Sequence, residues 1–249
     1  MRIAVLMPAF NEEGRLAHTL SELRDSAEGH ELTVFLVDDG SSPPIDEAAV
    51  RVAAGDLRVV LSRHAVNLGQ GAAIETARRL AIDPRWGPRS TAGRSRATAG
   101  YDAFVTMDSD GQHAPSDVIA LARAITSGAD VALGDRFAGG SQVPASRRVL
   151  LFLARAFERL TTGVHVSDAH NGLRAFSPRA IEGMQIRQNR MAHASEITRL
   201  ISASRLEVVE VPVSVRYSAE SLAKGQRASG AVAILVDLFQ GFLFGADRR

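Results

Sequence analysis

The 249-residue chain contains no cysteine, which excludes disulfides, thiolate zinc sites and cysteine nucleophiles. A reducing compartment fits that composition. An excess of charge is missing too. Its 29 basic and 28 acidic residues leave a net charge of +1, so no bulk electrostatic pull favours nucleic acid, and none is expected as a partner. Long apolar runs are also lacking. Residues 3–7 (Ile-Ala-Val-Leu-Met) are too few for a signal-peptide core and read as a buried strand. The longest apolar stretch, residues 231–244, includes Asp237 and Gln240. It falls short of the roughly 20 residues that span a bilayer, so no transmembrane segment is expected. There is no internal repeat and no low-complexity tail.

Apolar residues make up 45% of the chain, enough for one sizeable core with an appended C-terminal portion. Short apolar runs at 3–7, 32–37, 58–61, 103–107 and 131–133 predict strands. Between them Leu16, Leu20, Leu23 and Ala27 share a helical face, as do Ala73, Thr76, Ala77 and Leu80, and Val118, Ala122 and Ile125. Strands alternating with helices predict an α/β fold with a mainly parallel sheet flanked by helices. In such sheets ligands bind beyond the carboxyl ends of the strands. Residues 84–100 lack periodicity and predict an exposed loop insertion. Further strands are predicted at 173–176 and 208–215, the latter an edge or bulged strand because of Pro212. Residues 147–160, a basic amphipathic stretch, and residues 196–204 and 231–244 predict helices.

The predicted strand ends are acidic. The first leads into Pro8-Ala9-Phe10-Asn11-Glu12-Glu13, the second into Asp38-Asp39-Gly40-Ser41-Ser42, and the fourth into Asp108-Ser109-Asp110-Gly111-Gln112. Alternation in an extended segment would point Asp108 and Asp110 to one side. With the amide oxygen of Gln112 they form a hard-oxygen set suited to Mg²⁺ or Mn²⁺. An Asp-x-Asp pair is equally at home in a turn. Asp38 and Asp39 fit a turn with a helix cap, or acceptors for a nucleobase or ribose. Asn67-Leu68-Gly69-Gln70-Gly71 opens a helix, where glycine permits close approach of phosphate, or simply close helix–sheet packing.

Together these stretches resemble family 2 glycosyltransferases of the GT-A (Rossmann-like) fold, in the branch of dolichyl-phosphate mannose synthase and bacterial polyprenyl-phosphate glycosyltransferases. Gly134-Asp135-Arg136-Phe137 and the segment from Ser167 to Phe176 complete the series, which runs in family order over roughly residues 1–180. The resemblance implies a nucleotide-sugar pocket lined by Pro8, Ala9, Phe10, Asn11, Glu12, Asp38, Asp39, Asn67, Gly69 and Asp108. It implies a Mg²⁺ or Mn²⁺ ion on Asp108, Asp110 and Gln112, with Asp110 and Asp168 as the catalytic residues. Arg136, with Arg147 and Arg148, would face the acceptor, because guanidinium grips phosphate bidentately. A surface ion pair with Asp135 is the plainer role for Arg136. Asp168 would be a general base toward a hydroxyl acceptor, or would position the sugar if the acceptor is already a phosphate anion.

Some positions depart from the family pattern. Its Ser-Gly-Phe-Arg is here Asn171-Gly172-Leu173-Arg174, preceded by His170, and Asp135 replaces a serine. The stretch from Arg190 to Ile197 also differs, which leaves the sugar open. His113, His170 and His193 are further candidates for substrate contact.

The expected activity is inverting, metal-dependent transfer from a nucleoside-diphosphate sugar to polyprenyl phosphate at the cytoplasmic membrane face, the protein being peripheral there. Alternatives are transfer to a saccharide hydroxyl in surface polysaccharide synthesis, a sugar nucleotidyltransferase, or a non-catalytic nucleotide-sugar-binding protein. The acidic segment after the first strand disfavours a nucleotidyltransferase, which carries a basic glycine-rich loop there. Residues 1–217 are expected to form the transferase domain. Residues 218–249 are expected to form a C-terminal acceptor-side loop and an apolar helix, which could dock on a small membrane partner or a second subunit.

Overall fold

The computed structural model describes residues 1–27, 29–88, 97–138, 168, 171–189 and 192–216. Arg147, Arg148, His170 and the elements expected at 147–160, 218–229 and 231–244 lie outside the described residues.

Among the described residues seven strands form one sheet: β1 Arg2–Ala9, β2 Glu31–Asp38, β3 Arg58–Arg63, β4 Ala103–Thr106, β5 Val131–Asp135, β6 Arg174–Phe176 and β7 Val208–Pro212. Their order is β3-β2-β1-β4-β6-β5-β7. Every neighbouring pair is parallel except the two made by β6, which runs antiparallel to β4 and β5. The described helices are α1 Glu13–Asp25, α2 Glu47–Ala54, α3 Gln70–Ile82, α4 Pro115–Thr126, α5 Pro178–Gly183 and α6 Ala192–Ala203.

The middle of the sheet is covered on both faces, which explains why β1, β2 and β4 read as apolar runs. Alternation along β1 sends Ile3, Val5 and Met7 to one face, against Leu16, Leu20 and Leu23 of α1, Val50 of α2 and Val118 and Leu121 of α4. Ala4 and Leu6 face the opposite side, with Ala73 and Ala77 of α3, Ile181 of α5 and Ile197 of α6. Phe35, Phe104 and Phe176 are fully buried on that second face. Truncating any of them to alanine would cost about 3–5 kcal/mol through lost burial and a residual cavity.

Several expected boundaries move. β4 ends at Thr106, so Asp108 to Gly111 form a turn and strand alternation does not set the direction of their side chains. β7 ends at Pro212, at the sheet edge; Val215 makes only an isolated bridge to His113. The described ends of the 84–100 segment are 3₁₀ turns, Pro84–Trp86 and Ala97–Gly100, and Tyr101 Oη donates to Trp86 O at 2.7 Å.

Candidate active site

The carboxyl ends of β1, β2 and β4 and the amino end of the reversed β6 meet on one rim of the sheet. The backbone ties them together, with Asp39 N donating to Ala9 O at 2.8 Å and Thr106 Oγ1 to Gly172 O at 2.7 Å.

Pro8 and Ala9 close β1 and are buried, whereas Phe10 is 45% exposed. Asn11 takes a left-handed φ of 54°, which asparagine tolerates better than most residues. Its amide donates to Ser41 Oγ at 3.0 Å, and its side-chain oxygen accepts from Ser42 N at 2.9 Å. The first two loops are thereby locked together. Glu12 precedes α1 and lies 3.6 Å from Arg15.

Asp38 and Asp39 are buried and serve the loops around them. Asp38 accepts from the amides of Ser41 at 2.8 Å and Ile45 at 3.2 Å, with Arg63 Nε at 3.5 Å. Burial acts to raise its pKa, but the Ser41 and Ile45 hydrogen bonds and the Arg63 charge prevail and hold it below the usual aspartate value. Asp39 takes the amides of Leu68 and Gly69 at 2.9 and 2.8 Å, and sits 2.7 Å from His64 Nδ1. His64 Nε2 in turn lies 2.9 Å from Thr76 Oγ1. The turn role that the sequence allowed for this pair is therefore present in the structure. Asn67 is exposed, and Gly69 caps α3 at φ 97°, a conformation that only glycine adopts cheaply.

Asp108 and Asp110 share the turn after β4. Burial and the neighbouring Asp108 charge raise the pKa of Asp110. Asp108 itself is lowered; burial opposes this, but His113, His193 and Arg174 outweigh it. Gln112 is turned onto Asp110, its backbone amide at 3.0 Å and its side-chain nitrogen at 2.6 Å. Gln70 Nε2 donates to Asp108 Oδ1 at 2.7 Å, and His113 Nε2 lies 3.5 Å from Oδ2. A Cβ placed on Gly172 would overlap Asp108 Oδ2, so a side chain here would displace the Asp108 carboxylate. The segment after β7 is stitched to the end of this turn and to α4: Arg216 N donates to Gln112 O and Ser214 N to Asp117 Oδ2, each at 2.8 Å.

Arg136 and Asp168 face each other, both buried. Arg136 Nε pairs with Asp168 Oδ2, and the Arg136 amide and Asn171 Nδ2 reach the same oxygen at 3.3 Å. Asp135, the plainer partner for Arg136, instead accepts from the amides of Phe137 and Ala138 at 2.8 and 3.2 Å. Sequence reasoning gave Gln70 no role and mentioned Arg174 only as part of a motif. Neither could have been picked out by type, because their importance lies in what the fold sets opposite them.

Residues 4–86 match the model of Glycosyl transferase family 2. The undecaprenyl-phosphate mannosyltransferase of Micrococcus luteus is 29% identical over 238 residues, 93% of this chain and 90% of that protein. The chain is similar to family 2 glycosyltransferases over these spans. A second relative of this glycosyltransferase is the UDP-N-acetylglucosamine–dolichyl-phosphate N-acetylglucosaminyltransferase of Methanococcus voltae, 25% identical over 90% of this chain and 89% of the other. Among solved structures, glucosyl-3-phosphoglycerate synthase from Mycobacterium tuberculosis, in complex with Mn²⁺, UDP-glucose and phosphoglyceric acid, superimposes with a TM-score of 0.60 at 17% identity. The match covers 96% of this chain and 79% of that one. The likeness establishes the GT-A fold of the glycosyltransferase described here.

Proposed function

We propose that this glycosyltransferase moves a sugar from a nucleoside-diphosphate donor to a polyprenyl phosphate, with inversion, using a divalent cation. The observation that carries the acceptor assignment is the buried Arg136 guanidinium on the acidic rim, 

held by the Asp168 carboxylate. A phosphate is the anion that such a planar fork grips best, and it would compete with Asp168 for the same donor. Relatives whose printed names specify undecaprenyl- or dolichyl-phosphate acceptors support the same choice.

The donor set on the turn after β4 fits Mg²⁺ or Mn²⁺. Two carboxylates lie close enough for one to raise the pKa of the other, a crowding of like charge that a dication relieves. Among the described residues no three Asp, Glu or His side chains converge on a metal-sized site. Two carboxylates completed by Gln112, phosphate oxygens and water are the usual provision for Mg²⁺. When bound there, the cation supplies neutralising charge for the departing diphosphate.

The chain's own residues do the remainder. Asp38 and Asp39 hold the loops that carry Phe10, Asn11, Asn67 and Gly69, forming the nucleotide side of the pocket. Arg136 orients the acceptor phosphate. One phosphate oxygen attacks the anomeric carbon as the bond from that carbon to the diphosphate oxygen breaks. A phosphate anion needs no strong base, so Asp168 positions the sugar and Arg136. A hydroxyl acceptor would need Asp168 as a proton acceptor, and its Oδ2 already receives three donors. Among the described residues no helix is long and apolar enough to cross a membrane. A polyprenyl-phosphate acceptor lies in the membrane, so this reading has the protein act peripherally at the cytoplasmic membrane face.

The test is a panel of nucleoside-diphosphate sugars with Mg²⁺ or Mn²⁺, run with and without polyprenyl phosphate. The expected result is nucleoside diphosphate release that needs both metal and lipid, with the labelled sugar partitioning into organic solvent. Sugar recovered only in a water-soluble glycan would refute the acceptor assignment. Donor binding without turnover under every condition would refute catalysis.

A further inference from the structure

We infer that Gln70 is a positioning residue for Asp108, coupling the loop that opens α3 to the metal-binding turn. This inference rests on the assignment of Asp108 to the metal site. A carboxylate only accepts hydrogen bonds, so the Gln70 amide presents its N–H end, at 2.7 Å from Oδ1. On the other side, Oδ2 is flanked by His113 Nε2 at 3.5 Å and packs so closely on Gly172 that a Cβ there would overlap it. The carboxylate plane is thus fixed from three separate loops.

Gln70 is itself held in place. It is the first residue of a 13-residue helix whose preceding amides, those of Leu68 and Gly69, are bound by Asp39. One residue on, a Cβ on Gly71 would overlap Gln188 O and approach His193 Cβ to 3.0 Å, so the helix start is pressed against the segment before α6. A route of hydrogen bonds and a short stretch of main chain therefore runs from Asp39, at the end of β2, through residues 68–70 to Asp108, beyond the end of β4. Ligand-orienting hydrogen bonds of this kind typically change metal affinity by about 10–100-fold when removed.

Gln70→Leu keeps the bulk of the side chain and deletes the donor; Gln70→Met is the second variant should leucine impair folding. Mn²⁺ binding to the full chain is followed by electron paramagnetic resonance of the free ion, with and without a nucleoside diphosphate to supply the phosphate oxygens, alongside turnover at rising Mn²⁺. The expected result is Mn²⁺ affinity weaker by about tenfold or more, an unchanged Tm, and turnover that is lost at low Mn²⁺ but returns at saturating Mn²⁺. Mn²⁺ binding equal to wild type overturns the inference, as does a turnover defect that excess Mn²⁺ leaves untouched. A wild-type chain that binds no Mn²⁺ would overturn the metal assignment itself, and this inference with it.

Discussion

Arg136 and Asp168, 32 residues apart in sequence, form a buried ion pair in which the arginine supplies both its Nε and its backbone amide to one carboxylate oxygen. The sequence assigned one to the acceptor and the other to the sugar, and the structure joins them. Removing either partner leaves an uncompensated buried charge, which typically costs about 3–5 kcal/mol. Arg136→Met and Asp168→Asn should each destabilise the protein by that order, and the double variant by clearly less than the sum. Urea unfolding of the four proteins measures the coupling; additive losses would show that the pair is not a unit.

Asp110 is the member of the proposed metal pair whose pKa is raised, by burial and the Asp108 charge. Asp110→Asn should reduce metal-dependent turnover by about a hundredfold, equivalent to ~2.7 kcal/mol of transition-state stabilisation. Initial rates at saturating donor and Mn²⁺ provide the check, and undiminished turnover would remove Asp110 from the site.

Gly172 is fixed by the approach of Asp108. Gly172→Ala should push the carboxylate aside and lower turnover at least tenfold, roughly the effect of disturbing a ligand-orienting contact. The far-ultraviolet circular dichroism spectrum should be unaltered. Full activity in this variant would mean that the loop yields freely and that the tight approach has no consequence for catalysis.

Glu75, on α3, provides a pH test away from the rim. It is buried, pairs with Arg78 and Arg79 at 2.8 Å, and accepts from Ile186 N at 3.2 Å. Burial acts to raise its pKa, but the Arg78 and Arg79 contacts dominate and lower it below 4.5. A lowered carboxylate pKa contributes stability that is present above the unfolded value and lost as pH falls through the folded one. Glu75→Gln should therefore cost about 3 kcal/mol at neutral pH and flatten the decline in stability below pH 4.5. Urea denaturation between pH 3 and 7 (~0.5 steps) reads both effects; parallel acid limbs would contradict the assignment.

The central strands were legible because they are buried on both faces and written as continuous apolar runs. Residues 3–7 and 32–37 fall inside β1 and β2. Direction is not encoded in such runs, so nothing in Arg174-Ala-Phe176 announced that β6 runs backwards. α2 escaped notice because only Val50 and Ala54 of its eight residues are buried, too thin a stripe to show a period. α5 has six residues and no full repeat. At the rim, the acids stood out by type and position. Their partners did not, since the bonds between Gln70 and Asp108, or between Arg136 and Asp168, join residues more than 30 positions apart.

The reversed strand has an architectural consequence. A sheet whose members all ran one way would offer its rim only the places where strands finish. With β6 inverted, the rim also receives a place where a strand starts, and Gly172 arrives there from the opposite direction to Asp108. Variation in residues 171–173, which lead into that start, can alter the rim beside Asp108 while β1, β2 and β3 keep their registers untouched.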